Sequence, residues 1–222
     1  MNTVNYNSDR EAVESPLVVG CLDDDGNNTA KIEQVARLIY KADPFIYPGA
    51  FGDNINYAAK VISYFINNSI SYFKKQNIYF AECGSKIVGA MVLLRNADFS
   101  DVDCTSIRAV FPELPKGFEL ACAAVFNTAK KEVSANMMYI CSLAVDENLR
   151  RRHIGKKMIE AVVARNSGKD ISLHVLCENT PAIGLYKACG FEMKSEKAYD
   201  GFAVSGERPK FYAMKMKGLS SR

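Results

Sequence analysis

The fold is decided between Met138 and Phe191. Three segments carry it: Met138-Tyr-Ile-Cys-Ser-Leu-Ala-Val145, Asp146-Glu-Asn-Leu-Arg-Arg-Arg-His-Ile-Gly155 and Asn179-Thr-Pro-Ala-Ile-Gly-Leu-Tyr-Lys-Ala-Cys-Gly-Phe191. The first is almost wholly apolar, the pattern of a strand in the middle of a sheet. The second is a polar, basic turn. From Lys156 to Arg165 apolar residues recur at helical spacing, with Ile154, Met158 and Val162 on one stripe and Ile159 and Val163 beside it. Ser167-Gly168 stops that helix. Ile171, Leu173 and Val175 then alternate with Ser172 and His174, which predicts a second strand. Asn179-Thr180-Pro181 opens a second helix with capping side chains and a first-turn proline. Ala182, Leu185, Tyr186 and Cys189 form its packed stripe, and Gly190 ends it.

Working outward, Ile78 to Cys83 and Ile87 to Leu94 flank Gly84-Ser85 and read as a β-hairpin. Upstream, Ile32, Val35, Ala36 and Ile39 mark a helix from Thr29 that Asp43-Pro44 ends. Asp43 to Asp53 is expected to be a loop rich in aromatics, prolines and glycines, followed by a long helix from Ile55 to Lys74. Leu17 to Leu22 is a short strand candidate. Asn96 to Glu113 mixes prolines, acids and apolar residues, and Phe118 to Val133 is helical in pattern, so an insertion is expected at about 96–135. Two strand candidates, Phe191 to Tyr199 and Lys210 to Lys217, close the chain around the loop Gly201 to Pro209. Residues 1–16 lack apolar periodicity and read as a flexible arm. Residues 17–222 read as one domain.

Composition excludes several classes. The 222 residues can bury a substantial core, and a formal net charge of +3 is too small to argue for a nucleic-acid binder. Seven scattered cysteines, an odd number, do not make a disulfide framework, and with two histidines no metal-ligand spacing emerges. No apolar run approaches the ~20 residues of a membrane span, and the polar N-terminus does not resemble a secretory signal. A reducing cytosol, with neither membrane nor metal, is the expectation, for a monomer or a homodimer.

The two motifs together resemble the GCN5-related N-acetyltransferases. That family's turn reads Arg/Gln-x-x-Gly-x-Gly/Ala. Here Arg150 holds the first place and Gly155 the last, while His153 stands where the middle glycine belongs. The second motif is Asn179-x-x-Ala182-x-x-Leu185-Tyr186-x-x-x-Gly190-Phe191. The resemblance covers Met137 to Phe191. It implies an α/β fold whose mixed, mostly antiparallel sheet is flanked by helices and split between its central strands. It also implies transfer of acetyl from acetyl-CoA directly to a primary amine of a small molecule or peptide.

The physics of the turn agrees. A strand running through a loop into a helix leaves free N–H groups at the helix start, and the helix dipole adds partial positive charge there. Arg150, Arg151, Arg152 and Lys156 can add charge-assisted hydrogen bonds to phosphate. The resemblance places a pyrophosphate on the amides of Arg151, Arg152, His153, Ile154, Gly155 and Lys156, and pantetheine along Leu143, Ala144 and Val145. It makes Tyr186 the general acid that protonates the departing thiolate, and gives Asn179 the cofactor or the splayed strands to hold, although capping explains Asn179 equally well. The resemblance lays the loop Asp43 to Asp53 over the acceptor site, where Phe45, Tyr47 and Phe51 would meet the acceptor and Asp43 or Asp53 attract its ammonium group. Equally, Pro44, Pro48, Gly49 and Gly52 would shape a stiff loop whose aromatics pack on the sheet. Met138 to Val145 contains no carboxylate, so the base is sought at Glu82 or Glu119. Cys141 reads as core. Two other readings stay open: a non-catalytic acyl-CoA-binding module, and a partner-binding protein.

Overall fold

Alternation along the central strands assigns their side chains to two cores. In the computed structural model, which describes residues 15–26, 28–44, 46–95, 102–198 and 209–218 (of 124–129 and 132 the backbone alone), seven strands form one sheet. They are β1 (Leu17–Cys21), β2 (Ile78–Cys83), β3 (Lys86–Leu94), β4 (Met137–Val145), β5 (Asp170–Leu176), β6 (Glu192–Ala198) and β7 (Lys210–Met216). Their order is β1-β2-β3-β4-β5-β7-β6, and every neighbouring pair is antiparallel except β4 and β5.

Helices cover both faces: α1 (Thr29–Ala42), α2 (Ile46–Phe51), α3 (Ile55–Asn67), α4 (Cys104–Val110), α5 (Phe118–Glu132), α6 (Ile154–Arg165) and α7 (Thr180–Ala188). On one face Val35, Ile62, Phe65 and Phe118 pack with Phe80, Val92 and Tyr139. On the other, Met158, Val162 and Tyr186 pack with Met91, Ile140 and Leu173. The stripe expected for α1 lies buried, as do Ile154, Met158, Ile159 and Val162 of α6. Glycine has a specific task at Gly89, where a Cβ would lie 2.6 Å from Met158 Sδ and 3.3 Å from Ile154 Cγ2. The missing side chain lets the first turns of α6 close onto β3.

Two expectations are corrected. The segment Asp43 to Asp53 contains α2, because the Asp43 carboxylate accepts the Ile46 N–H at 2.8 Å and starts a helix. Pro48 falls in its first turn, where a missing N–H breaks no helical bond. The helix from Ile55 stops at Asn67, short of Lys74, because Ser69 and Ser71 take left-handed backbone, at φ 52° and 53°. Beyond them Tyr72 and Phe73 turn into the core. Residues 102–135 contain α4 and α5, while 96–101 lie outside the described residues, as do Phe45, residues 1–14 and residues 201–208.

Candidate active site

The sheet opens where β4 leaves β5. Parallel pairing runs only from Met137↔Asp170 to Ile140↔Leu173, whereas β4 stays on β3 as far as Val145↔Gly89. Cys141 is the extra residue between the pairs Ile140↔Leu93 and Ser142↔Val92, a bulge that bends the strand as bulges do. Leu143, Ala144 and Val145 therefore form an edge inside a sheet, half-buried, with alternate N–H and C=O groups turned toward the gap. Leu143 and Val145 pack toward α6 and α7, and Ala144 toward the opposite core.

At the end of that edge Asp146 donates its N–H to Val88 O at 2.9 Å. Its carboxylate accepts the Asn148 N–H at 3.0 Å and pairs with Lys86 at 3.0 Å. With that acid neutralised, exposed Arg150, Arg151 and Arg152 set the local field. Arg151 (φ 66°) and His153 (φ 60°) both have left-handed backbone, which curls the turn. His153 thus adopts the conformation that suits the glycine it replaces, at a cost of about 1–2 kcal/mol for a residue with a Cβ. It caps α6 without a side-chain bond, and the first amide bonded back to the turn is Lys157 N–H to His153 O, at 3.0 Å. The amides of Ile154, Gly155 and Lys156 are the helix's orphan donors. A Cβ on Gly155 would sit 2.9 Å from Leu185 Cδ2, so glycine here seats α6 against α7. Lys156 lies 3.8 Å from Glu160, a loose pair that leaves its charge near the turn.

Tyr186 and Phe191 sit in the same apolar cluster as Leu143 and Val145, with Tyr186 and Phe191 ring centroids 5.7 Å apart. Burial raises the Tyr186 phenol above the ordinary tyrosine range, and nearby Cys189 adds to this. Asn179 is exposed and caps α7, its Oδ1 accepting the Ala182 N–H at 3.2 Å. That capping bond accounts for the side chain locally.

Of the expected acceptor residues, Tyr47 and Phe51 are buried on α2. Tyr47 shares a 2.6 Å hydrogen bond with Ser142 Oγ, next to the bulge, and stacks on Phe51 with centroids 5.9 Å apart. Both line a cavity of about 400 Å³ with Tyr72, Phe73, Ala121 and Cys122. Tyr72 and Ser142 were missed in the sequence. Tyr72 falls inside the span expected to be helix, and Ser142 shares its apolar strand with a second hydroxyl, that of Tyr139. Desolvation pushes the Cys141 and Cys122 thiols up to about 12, which suits packing and not nucleophilic attack.

Glu82 is not brought to this site. It pairs with Lys31 at 2.7 Å on β2, with β3 between it and the opening. Lys31 also pairs with Asp25 at 2.9 Å, so the three form a structural cluster under α1. Glu119 does reach the cavity, but Arg108 binds it at 2.6 and 2.9 Å and holds its carboxyl below the usual range. Among the described residues no group of three or more His, Cys, Asp or Glu side chains is placed to hold a metal, and no helix is long and apolar enough to cross a membrane.

This architecture recurs in solved structures. The N-acetyltransferase from Staphylococcus aureus Mu50 has a TM-score of 0.56 at 15% identity, covering 90% of this chain and 100% of its own. The ribosomal-protein-S18-alanine N-acetyltransferase from Escherichia coli has a TM-score of 0.55 at 13% identity, over 93% of this chain and 97% of its own. YncA, a putative acetyltransferase from Salmonella typhimurium with its cofactor acetyl-CoA, has a TM-score of 0.52 at 13% identity, over 90% and 93%. At such identities the likeness shows the fold. No curated protein matches the sequence. The family model for the acetyltransferase (GNAT) family matches residues 53–191, more than half the chain, and the chain belongs to that family.

Proposed function

We propose that the chain transfers an acetyl group from acetyl-CoA directly to a primary amine. The observation that carries this reading is the opening of β4 from β5 beside a left-handed basic turn. An unpaired strand edge and a cluster of helix-start amides adjoin there. The fit to acetyl-CoA is chemical. Its pantetheine arm has amides that can pair with Leu143 to Val145 as an added strand would, and its pyrophosphate suits the amides of Ile154, Gly155 and Lys156 with Arg150, Arg151 and Arg152 around them. The YncA relative, described with acetyl-CoA, supports the same choice.

When bound, acetyl-CoA supplies an activated acetyl thioester. A backbone N–H near Leu143 is available to hold the carbonyl oxygen as it gains charge. Tyr186 keeps its proton at working pH, because burial disfavours the phenolate, and donates it to the departing sulfur. Glu82 and Glu119 are both held by cations, so neither is assigned as base. Desolvation lowers an ammonium pKa, and entry into an apolar cavity helps the acceptor lose its first proton to solvent. As the amine attacks and the C–S bond breaks, the second proton leaves the nitrogen and restores the Tyr186 phenol, so that its net transfer is from amine to thiolate.

Calorimetric titration with acetyl-CoA and CoA tests the reading, on wild type and on Arg151→Ala/Arg152→Ala. Charged hydrogen bonds are worth ~1.5–3 kcal/mol each, so the double variant should bind at least ~10-fold more weakly. Wild-type protein that binds neither ligand would leave the family and fold without this activity. Binding with no transfer to any amine would favour the acyl-CoA-binding module.

A further inference from the structure

The reading above leaves the acceptor unnamed, and the cavity beside Ser142 narrows it. It is enclosed from three directions. Tyr47 and Phe51 come from α2, Tyr72 and Phe73 from the segment after α3, and Ala121 and Cys122 from α5 of the insertion between β3 and β4. At about 400 Å³ it lies at the small end of the ~300–1,000 Å³ usual for small-molecule sites. Tyr47 connects it to the reaction centre, since its hydroxyl meets Ser142 Oγ at 2.6 Å where β4 leaves β5. Asp43, at the start of α2, is engaged by the Ile46 N–H at 2.8 Å and is not among the lining residues. At the far end Glu119 is neutralised by Arg108.

We propose that this cavity is the acceptor site and that it selects a compact primary amine carrying an apolar, aromatic body. The proposal rests on the acetyl-transfer reading. The amine points to the open edge of β4, and the ring lies among Phe51, Tyr72 and Phe73. A polyamine would need several available carboxylates, whereas Glu119, the carboxylate among the described lining residues, is already engaged. A peptide would need an open groove with backbone partners, and helices α2 and α5 present side chains instead. Selectivity is thus a property of the insertion, because Ala121 is buried and its small side chain leaves the room.

The test compares 2-phenylethylamine, spermidine and the tripeptide Ala-Gly-Gly as acceptors for the full chain. The expected kcat/KM for 2-phenylethylamine is at least ~10-fold above both others, the scale that one or two well-placed pocket contacts give. Ala121→Phe, which fills the cavity, should raise its KM ~10-fold or more while acetyl-CoA affinity stays unchanged. Should Ala121→Phe fail to fold, Ala121→Leu serves, with a smaller rise. Faster turnover of spermidine or the tripeptide, or an unmoved KM in both variants, overturns the proposal. If the protein does not bind acetyl-CoA, the transfer reading fails separately. Calorimetry with 2-phenylethylamine alone then decides: binding weakened by Ala121→Phe upholds the site, and no binding removes it.

Discussion

The two faces of the sheet are assembled from stretches of chain of very different reach. The face under α6 and α7 draws most of its buried residues from 138–191, in which strand, turn and helices follow one another directly, and the rest from β1, β2, β3 and β7. The opposite face gathers α1, α2, α3, the Tyr72-Phe73 segment and α5 from across half the chain. The first face holds backbone features: an open edge, two left-handed residues and orphan amides. The second holds shape, meaning aromatic walls, a cavity and one buried hydrogen bond to β4. On the reading proposed above, acetyl-CoA uses the first kind of feature, while the choice of acceptor depends on the second.

The largest effect that bears on this contrast belongs to Tyr186. Tyr186→Phe keeps the ring packed on Phe191 and removes the proton donor, so kcat should fall ~100-fold or more, with acetyl-CoA affinity intact. Unchanged kcat in steady-state assays would reduce Tyr186 to a core aromatic.

Tyr47→Phe probes the other face. It leaves the buried Ser142 hydroxyl without its partner, a loss of ~1–3 kcal/mol. For a chain of this size that lowers Tm by roughly 2–4 °C per kcal/mol. Thermal unfolding reads it, and an unchanged Tm would mean that the 2.6 Å bond does not tie α2 to the sheet.

A smaller change returns to the first face. His153→Gly should relieve part of the left-handed strain, about 1 kcal/mol after glycine's own entropy, and raise Tm by a few degrees. A lower Tm would show that the imidazole contributes more than its backbone costs.

The smallest effect is a control at the sheet end shared by both faces. The Gly218 N–H, first, and Lys215 hold the Asp170 carboxyl below the usual aspartate range. A lowered folded pKa contributes stability that is present above the unfolded value of ~3.9 and is lost as pH falls through the folded value. Urea unfolding should therefore separate Asp170→Asn from wild type at pH 6, with the gap shrinking once pH falls below the unfolded value of ~3.9. A gap that does not change with pH would assign the effect to packing.

Residues 138–191 were legible because each of their elements announces itself locally: an apolar run, a basic turn, a 3.6-residue stripe, an Asn cap followed by proline. The hairpin at Gly84-Ser85 and the stripe of α1 were legible for the same reason. Where Asp43 to Asp53 and Ser69 to Phe73 went was not, since one side-chain cap starts α2 and two left-handed serines end α3, and neither choice has a strong periodic signal. By itself the sequence determined the family motifs, the basic turn and the order of the elements from 138 to 191, all properties of neighbours along the chain. Only tertiary structure decided that Glu82 serves Lys31, that Tyr47 meets Ser142 and that α5 walls a cavity. Those contacts join residues tens of positions apart, and no local propensity encodes which surfaces will meet.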